Sequence, residues 1–289
     1  MMNKPKFYEL GLDGVRATFC DAGASIYQIE LDGVPMLYSK DKDYFAKENI
    51  EFFGQFVAPV AGRIKGGTLK SFHFPPNEGL NANHSGGLTL CWQHFDGETY
   101  DDDQGKHVRF TKKGELFGGH YEAGVDYCLR KEGEAVVVHV TLSYSSDVDT
   151  PCNLTLHPYF CLGETDMAKI FLKANAKERM SYDKENIPQK FIPTEGEFDL
   201  REGRFLDYPF DHAFHLDGAV QAQGERYRVY ISSPAPYAQI YVDAPSKAVT
   251  GASKGFACEF QYHPKMDEDA IMPKNETSTV EITYRFERK

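Results

Sequence analysis

Apolar and polar positions alternate one by one along much of the chain. In "TVEITYRFERK" (279–289), Val280, Ile282, Tyr284 and Phe286 fall on one side, with Glu281, Thr283, Arg285 and Glu287 on the other. In "AVVVHVTLSY" (135–144), Val136, Val138, Val140 and Leu142 share a face. The runs "RYRVYISS" (226–233) and "YAQIYVDAP" (237–245) read the same way. A period of two is that of a strand with one buried face, and the β-branched and aromatic residues that fill these runs suit a pleated surface. Asp-Gly at 13–14, 32–33, 96–97 and 217–218, and Gly-Gly at 66–67, 86–87 and 118–119, predict tight turns between strands. Helical signals are few and short, with "KDYFAKENI" (42–50) the clearest. The pattern predicts an all-β, mainly antiparallel protein, a sandwich or a barrel. "LDGV" occurs at 12–15 and 31–34, a local echo without a long-period repeat, and no low-complexity linker divides the chain. One domain over 1–289 is expected. The acidic stretch "DGETYDDD" (96–103) reads as a solvated loop, since it lacks the glycine and glutamate spacing of a calcium loop.

Composition narrows the class. With 289 residues and 41% hydrophobic residues, the chain has ample material for a large core. A net charge of −11 and a pI near 5.4 repel phosphate backbones, which argues against nucleic acid as a partner and, more weakly, against anionic membranes. The six cysteines, at 20, 91, 128, 152, 161 and 258, form no CxxC pair and are sparse for so long a chain. Free thiols in a reducing cytoplasm are expected rather than a disulfide framework. The start "MMNKPKFYEL" has no apolar core of a secretory signal, and no run approaches the roughly 18 apolar residues of a membrane span.

The candidate chemistry begins with "CNLTLHPYFCLG" (152–163), where His157 sits in a strand-like run and is followed by Pro158, Tyr159 and Phe160. An imidazole so placed is either a satisfied core group or a proton-transfer group at the floor of a cleft. The ten histidines include no HExxH and no Cys/His cluster, and the chain has no GxSxG elbow, P-loop or dinucleotide fingerprint. What remains is a set of polar residues beside aromatics, glycine or proline: "PVAGRI" (59–64), "NANHSGG" (81–87), "LTLHPYF" (154–160), "FDHAFHLDG" (210–218) and "EFQYHP" (259–264). Taken singly, Arg63 reads as a surface or salt-bridged group, Asp211 as a turn residue and His157 as a core histidine.

Together, in this order, the segments resemble the aldose 1-epimerase (galactose mutarotase) family. "LTLHPYF" is similar to its histidine strand, "EFQYHP" to its Glu-x-Gln motif, "PVAGRI" to the segment with its substrate-binding arginine, and "FDHAFHLDG" to its Asp-His segment. The resemblance runs from 54 to 264. It implies a large antiparallel β-sandwich with a sugar site on its concave face. It implies interconversion of the α and β anomers of a hexose, with Glu259 as base, His157 as acid and His84 as a further catalytic group. Arg63, Asp211 and Gln261 would hold the sugar, and neither a metal nor another cofactor would be needed. At one point the chain departs from the family, because Ser85 separates His84 from Gly86-Gly87. His84 is expected to keep the place in the cleft, with Ser85 as the alternative.

The chemistry suits these groups. Anomers exchange when a base takes the C1 hydroxyl proton while an acid protonates the ring oxygen, each worth about 10²–10⁴-fold. Partial burial would raise Glu259 toward useful basicity, and His157 is expected to be partly protonated near neutrality. Tyr159, Phe160 and Trp92 are candidates to stack on the sugar, Phe160 more readily serving the core. Few cations flank the motifs, which favours an unphosphorylated hexose over a 6-phosphate. Two other readings use the same residues: a glycoside hydrolase with Asp211 and Glu259 as its carboxylates, and a carbohydrate-binding protein without catalysis. A monomer or homodimer is expected.

Overall fold

The computed structural model describes residues 4–242 and 254–289. A four-stranded antiparallel sheet opens the chain, from Phe7–Leu12 through Val15–Cys20 and Ser25–Leu31 to Val34–Pro35. Asp13-Gly14 and Asp32-Gly33 turn its first and last hairpins, as the sequence predicts. A much larger sheet of 14 strands follows. Its long strands, Lys106–Leu116, Gly119–Glu132, Ala135–Ser146 and Thr277–Arg288, pair antiparallel in unbroken register. Beyond Thr277–Arg288 the sheet continues through Tyr227–Ser232, Phe210–Gln223, Tyr237–Val242, Phe256–Gln261 and Tyr159–Phe160.

The alternation read from the sequence sets the layers. Val136, Val138, Val140 and Leu142 pair with Phe286, Tyr284, Ile282 and Val280, and all eight are buried in one core. The small sheet covers that core: Phe19 lies 4.6 Å from Tyr127, and the Tyr127 and Tyr227 hydroxyls donate to the carbonyls of Ala24 and Leu31. Burying large apolar side chains between two sheets is the main stabilising term, at roughly 1.5–3 kcal/mol for each. Of the sandwich and barrel that the period of two allows, this is the sandwich. The only α-helix among the described residues is Lys42–Glu48, inside the expected 42–50, and the Asp41 carboxylate caps it by accepting from Tyr44 N–H at 2.9 Å. No helix of the described residues is long and apolar enough to cross a membrane. All six cysteines are unpaired and buried.

Three local expectations fail. The stretch at 96–103 is not a loop: Asp96–Asp101 is an edge strand, paired from Asp96↔Thr111 to Asp101↔Lys106. Its carboxylates face solvent, and charge on an edge discourages a further strand from docking. Gly97 is needed there because the Tyr8 ring lies where a Cβ would stand, at 2.7 Å. Asp217-Gly218 likewise lies within the strand Phe210–Gln223. The partner strand passes from Ala174↔Val220 to Ala176↔Leu216, so the extra residues of this strand bulge out, with Gly218 at φ 96°. "LTLHPYF" is not one strand but two short ones, Thr155–Leu156 and Tyr159–Phe160, with His157 in the gap. Pro158 has no N–H to continue the ladder. Of the run 237–245, residues 243–245 lie outside the described residues.

Phe160 is fully buried and packs on Phe256, Tyr284 and Phe286 with centroids 5.3–6.3 Å away. It is a core residue and not a sugar platform. Phe160→Ala is expected to cost about 3–5 kcal/mol of stability, measured as a lower urea midpoint at unchanged slope.

Candidate active site

The final strands of the large sheet present two kinds of face. In Phe256–Gln261, Phe256, Cys258 and Phe260 enter the core, so Ala257, Glu259 and Gln261 point the other way. Its neighbour Tyr237–Val242 buries Ala238, Ile240 and Val242 and turns Tyr237, Gln239 and Tyr241 to the same side as Glu259. Register then aligns one rung, Ala213↔Gln239↔Glu259, with Asp211↔Tyr241 on the rung beside it. A cleft of about 250 Å³ opens over these rungs. It lies just below the ~300–1,000 Å³ common for ligand pockets, a size for a single sugar ring.

The first polar segment reaches this cleft by pairing with the second. Arg63–Ile64 forms a two-stranded ladder with Ala82–Asn83, which sets Arg63 opposite Asn83 at the cleft wall. The Arg63 guanidinium binds Glu78 through Nε at 2.7 Å and Nη2 at 3.1 Å, while Nη1 lies 3.7 Å from Asp211 Oδ2. Asp211 Oδ1 accepts from Gln239 Nε2 at 2.6 Å, and Gln239 Oε1 accepts from the Tyr182 hydroxyl at 3.1 Å. That hydroxyl in turn accepts from the Ala213 backbone N–H. Asp211 and Arg63 are therefore held in place before any ligand arrives.

At 84–87 the chain turns sharply. His84, Ser85 and Gly86 have φ of 49°, 69° and 53°, three left-handed residues in a row. A Cβ on Gly86 would lie 2.1 Å from the Pro75 carbonyl oxygen, so only glycine fits. The turn separates the two neighbours whose roles the sequence leaves open. Ser85 is fully buried, and its hydroxyl accepts from Val60 N–H at 2.9 Å and donates to Val60 O at 3.0 Å. His84 lines the cleft, with Nδ1 accepting from Gly62 N–H at 3.3 Å. Its ring packs edge-on against Phe52 and His157.

His157 occupies the floor. Backbone bonds on both sides, His157 N–H to Gln55 O and Gly54 N–H to His157 O, fix the gap between the two short strands. Its Nε2 lies 3.3 Å from Glu259 Oε1, and both side chains are almost wholly buried. Burial raises the Glu259 carboxyl well above its usual range; the negative charge of Asp211 adds to the rise and Arg63 opposes it. Burial also pushes His157 down to about 4. His84 is lowered by burial and by the neighbouring His157 and Arg63. The expectation of a partly protonated His157 at neutrality is thus overturned, because no solvent is left to hold the imidazolium. Both shifts favour the uncharged forms, the protonated carboxyl and the neutral imidazole. His84, His157 and Glu259 offer ligand atoms within 4.8 Å of one another, and among the described residues they are the group able to take a divalent cation.

Of the proposed stacking residues, Tyr159 lines the cleft, 5.1 Å from the His157 ring. Trp92 is half exposed and stands behind Phe52, stacked on it at 6.3 Å. Gln261 lines the cleft beside Glu259. Phe52, Tyr182, Gln239 and Tyr241 also line it, and none of them stands out among the polar segments of the chain. Gln239 and Tyr241 could have been found, as the outward set of a period-two run whose outward face carries no charge before Asp243. Phe52, held at φ 60°, has no such signal.

A curled antiparallel sandwich with a small acid–base cleft over its last strands is the galactose mutarotase-like fold. The family model described as Aldose 1-epimerase matches residues 6–285, and the chain belongs to that family. Solved structures agree on the fold. A galactose 1-epimerase from Lactobacillus acidophilus superposes with a TM-score of 0.86 at 22% identity, over 99% of each chain. The GalM/aldose epimerase homologue from C. elegans gives 0.84 at 21%, over 98% of this chain and 99% of that one. A galactose mutarotase-like protein from Clostridium acetobutylicum gives 0.77 at 16%, over 99% of each. No curated protein matches the sequence.

Ser85→Ala is expected to cost about 1–3 kcal/mol, because it strands the buried Val60 N–H, while leaving ligand affinity within about twofold. His84→Asn is expected to lower turnover tenfold or more at unchanged melting temperature. A thermal melt and polarimetry of both variants separate the two effects.

Proposed function

We propose that the protein is an aldose 1-epimerase that interconverts the α and β anomers of an unphosphorylated hexose of the glucose or galactose type. The observation that carries this reading is the buried His157–Glu259 pair, 3.3 Å apart at the floor of a cleft of about 250 Å³. Mutarotation needs one group to take a proton from O1 and another to give one to O5. A pair with a single proton supplies both roles without drawing on solvent. Transfer along the 3.3 Å contact converts Glu-COOH and neutral imidazole into carboxylate and imidazolium at constant net charge. In that form Glu259 takes the C1 hydroxyl proton and His157 protonates the ring oxygen as the C1–O5 bond breaks. Rotation about C1–C2 presents the other face of the aldehyde, and the same groups, roles exchanged, close the ring. His84 donates a hydrogen bond to the opening ring oxygen or an adjacent hydroxyl. Arg63 and Asp211, braced by Glu78 and Gln239, hold hydroxyls.

The charge in the cleft favours a neutral sugar. Glu51 and Asp211 line it, and the guanidinium of Arg63, its one cationic side chain among the described residues, is already engaged by Glu78 and Asp211. A phosphate dianion would find no free cation. The six unpaired thiols support a reducing, cytoplasmic setting.

Polarimetry of freshly dissolved α-D-glucose, α-D-galactose and their 6-phosphates tests the reading. Accelerated relaxation with the free sugars, and at least tenfold less with the phosphates, is expected. Release of an aryl aglycone would instead make it a glycoside hydrolase, and binding without acceleration a carbohydrate-binding protein. Glu259→Gln is expected to lower the rate by two orders of magnitude or more. The pH profile is expected to be a bell belonging to the pair. Activity falls on the acid side near pH 4, where His157 takes a second proton, and on the alkaline side well above the usual carboxylate range, where Glu259 loses the only one. An acid limb centred near 6.5 would contradict the burial of His157.

A further inference from the structure

We propose that Asn153 is a positioning residue that locks the amide of Gln261 so that its Nε2 faces the bound sugar as a hydrogen-bond donor. Asn153 stands four residues before His157 and is almost wholly buried. It ties two of the polar segments, 59–64 and 259–264, to the chain just ahead of 154–160: Nδ2 donates to Gln261 Oε1 at 2.7 Å, to His263 O at 2.8 Å and to Ala61 O at 3.2 Å, and Oδ1 accepts from His263 N–H at 3.0 Å. The two ends of an amide are told apart by their partners. A backbone N–H can only donate, so the end of Asn153 facing His263 N–H is its oxygen. Two of the groups at the other end are backbone carbonyls, which can only accept, so that end is the nitrogen. Asn153 therefore has one orientation, and its Nδ2, with two N–H groups shared among three oxygens and no capacity to accept, requires an acceptor from Gln261. The Gln261 atom that it meets is the oxygen.

The consequence lies in the cleft. With Oε1 engaged, Gln261 has only Nε2 left, and among the described residues that nitrogen has no partner. Gln261 lines the cleft two residues from Glu259 on the same strand face. The side chain thus offers a sugar oxygen two N–H donors and no acceptor. On the neighbouring strand Gln239 is oriented the opposite way round, with its nitrogen tied to Asp211 and its oxygen to Tyr182. The cleft is thereby polarised: Asp211 accepts on one side, and Gln261 donates on the other. A sugar hydroxyl can both donate and accept, so a cleft with one polarity at each position selects how the ring lies.

The inference rests on the epimerase reading, and the test keeps the two apart. Wild type, Gln261→Met, Gln261→Glu, Asn153→Ala and the double variant Asn153→Ala/Gln261→Met are compared by polarimetry with D-galactose and D-glucose, by calorimetric titration with D-galactose, and by thermal melts. Gln261→Met removes the donor at similar shape. Gln261→Glu keeps the oxygen that Asn153 binds and replaces the donor with an acceptor. Both are expected to raise KM and Kd about tenfold with kcat within about threefold, the signature of a contact equal in ground and transition states. Asn153→Ala is expected to do the same alone and to add less than twofold to Gln261→Met, since it acts through that residue. Wild-type KM in Gln261→Glu would overturn the assigned orientation. Multiplicative effects in the double variant would overturn the coupling. If Asn153→Ala does not fold, the Gln261→Glu result still decides the orientation. Failure of the wild type to bind or turn over either sugar would overturn the epimerase reading itself.

Discussion

The contact between His157 and Glu259 is the constraint around which the cleft is arranged. Two ionisable side chains, 6% and 5% exposed, meet at 3.3 Å. Removing separate charges from water costs several kcal/mol for each ion. The pair limits that cost by staying neutral overall, the carboxyl raised and the imidazole lowered. It is nonetheless one proton transfer away from an ion pair. Such an arrangement is poor as a stability device and well suited to moving protons. It requires a dry floor, and the surrounding elements keep it dry: the aromatic rings of Phe52 and Tyr159 lie against His157, and the fully buried Cys91 lies close to Glu259.

Around that floor, rigidity comes from backbone geometry more than from packing. His157 is held in a gap between two short strands by bonds from its own N–H and C=O. His84 is held by a turn of three left-handed residues, clamped by the buried Ser85 hydroxyl on Val60. Left-handed backbone is costly for residues other than glycine and persists where the surroundings enforce it. The walls are braced by side-chain chains of one polarity, Ala213 to Tyr182 to Gln239 to Asp211 on one side and Asn153 to Gln261 on the other. Each wall group reaches a ligand already oriented, which reduces the entropy lost on binding.

Much of this was legible in the chain. Period-two alternation determined the antiparallel sheets and their buried faces, since a one-residue shift would turn every core side chain of 136–142 and 280–286 to the wrong face. The polar segments were visible because each placed an ionisable residue beside glycine, proline or aromatics. Their order along the chain matched one family. The same alternation put Glu259 and Gln261 on one face, opposite Phe256, Cys258 and Phe260.

Tertiary structure alone decided the rest, because it depends on contacts between distant parts of the chain. The lowered pKa of His157 follows from burial in which Phe52 and Glu259, each more than 100 positions away, join its neighbour Tyr159, and composition near the motif does not report the distant partners. His84 and Ser85 are adjacent, and only the turn, set by the approach of Pro75 to Gly86, sends one to the cleft and the other into the wall. Asp96–Asp101 has turn-like composition, yet it pairs because an open edge of a long strand lay beside it. The donor face of Gln261 is decided by a backbone N–H at His263 acting through a side chain from residue 153. Local sequence determines which way a side chain alternates. What that side chain meets, and so whether it is charged and which atom it presents, is a property of the folded chain.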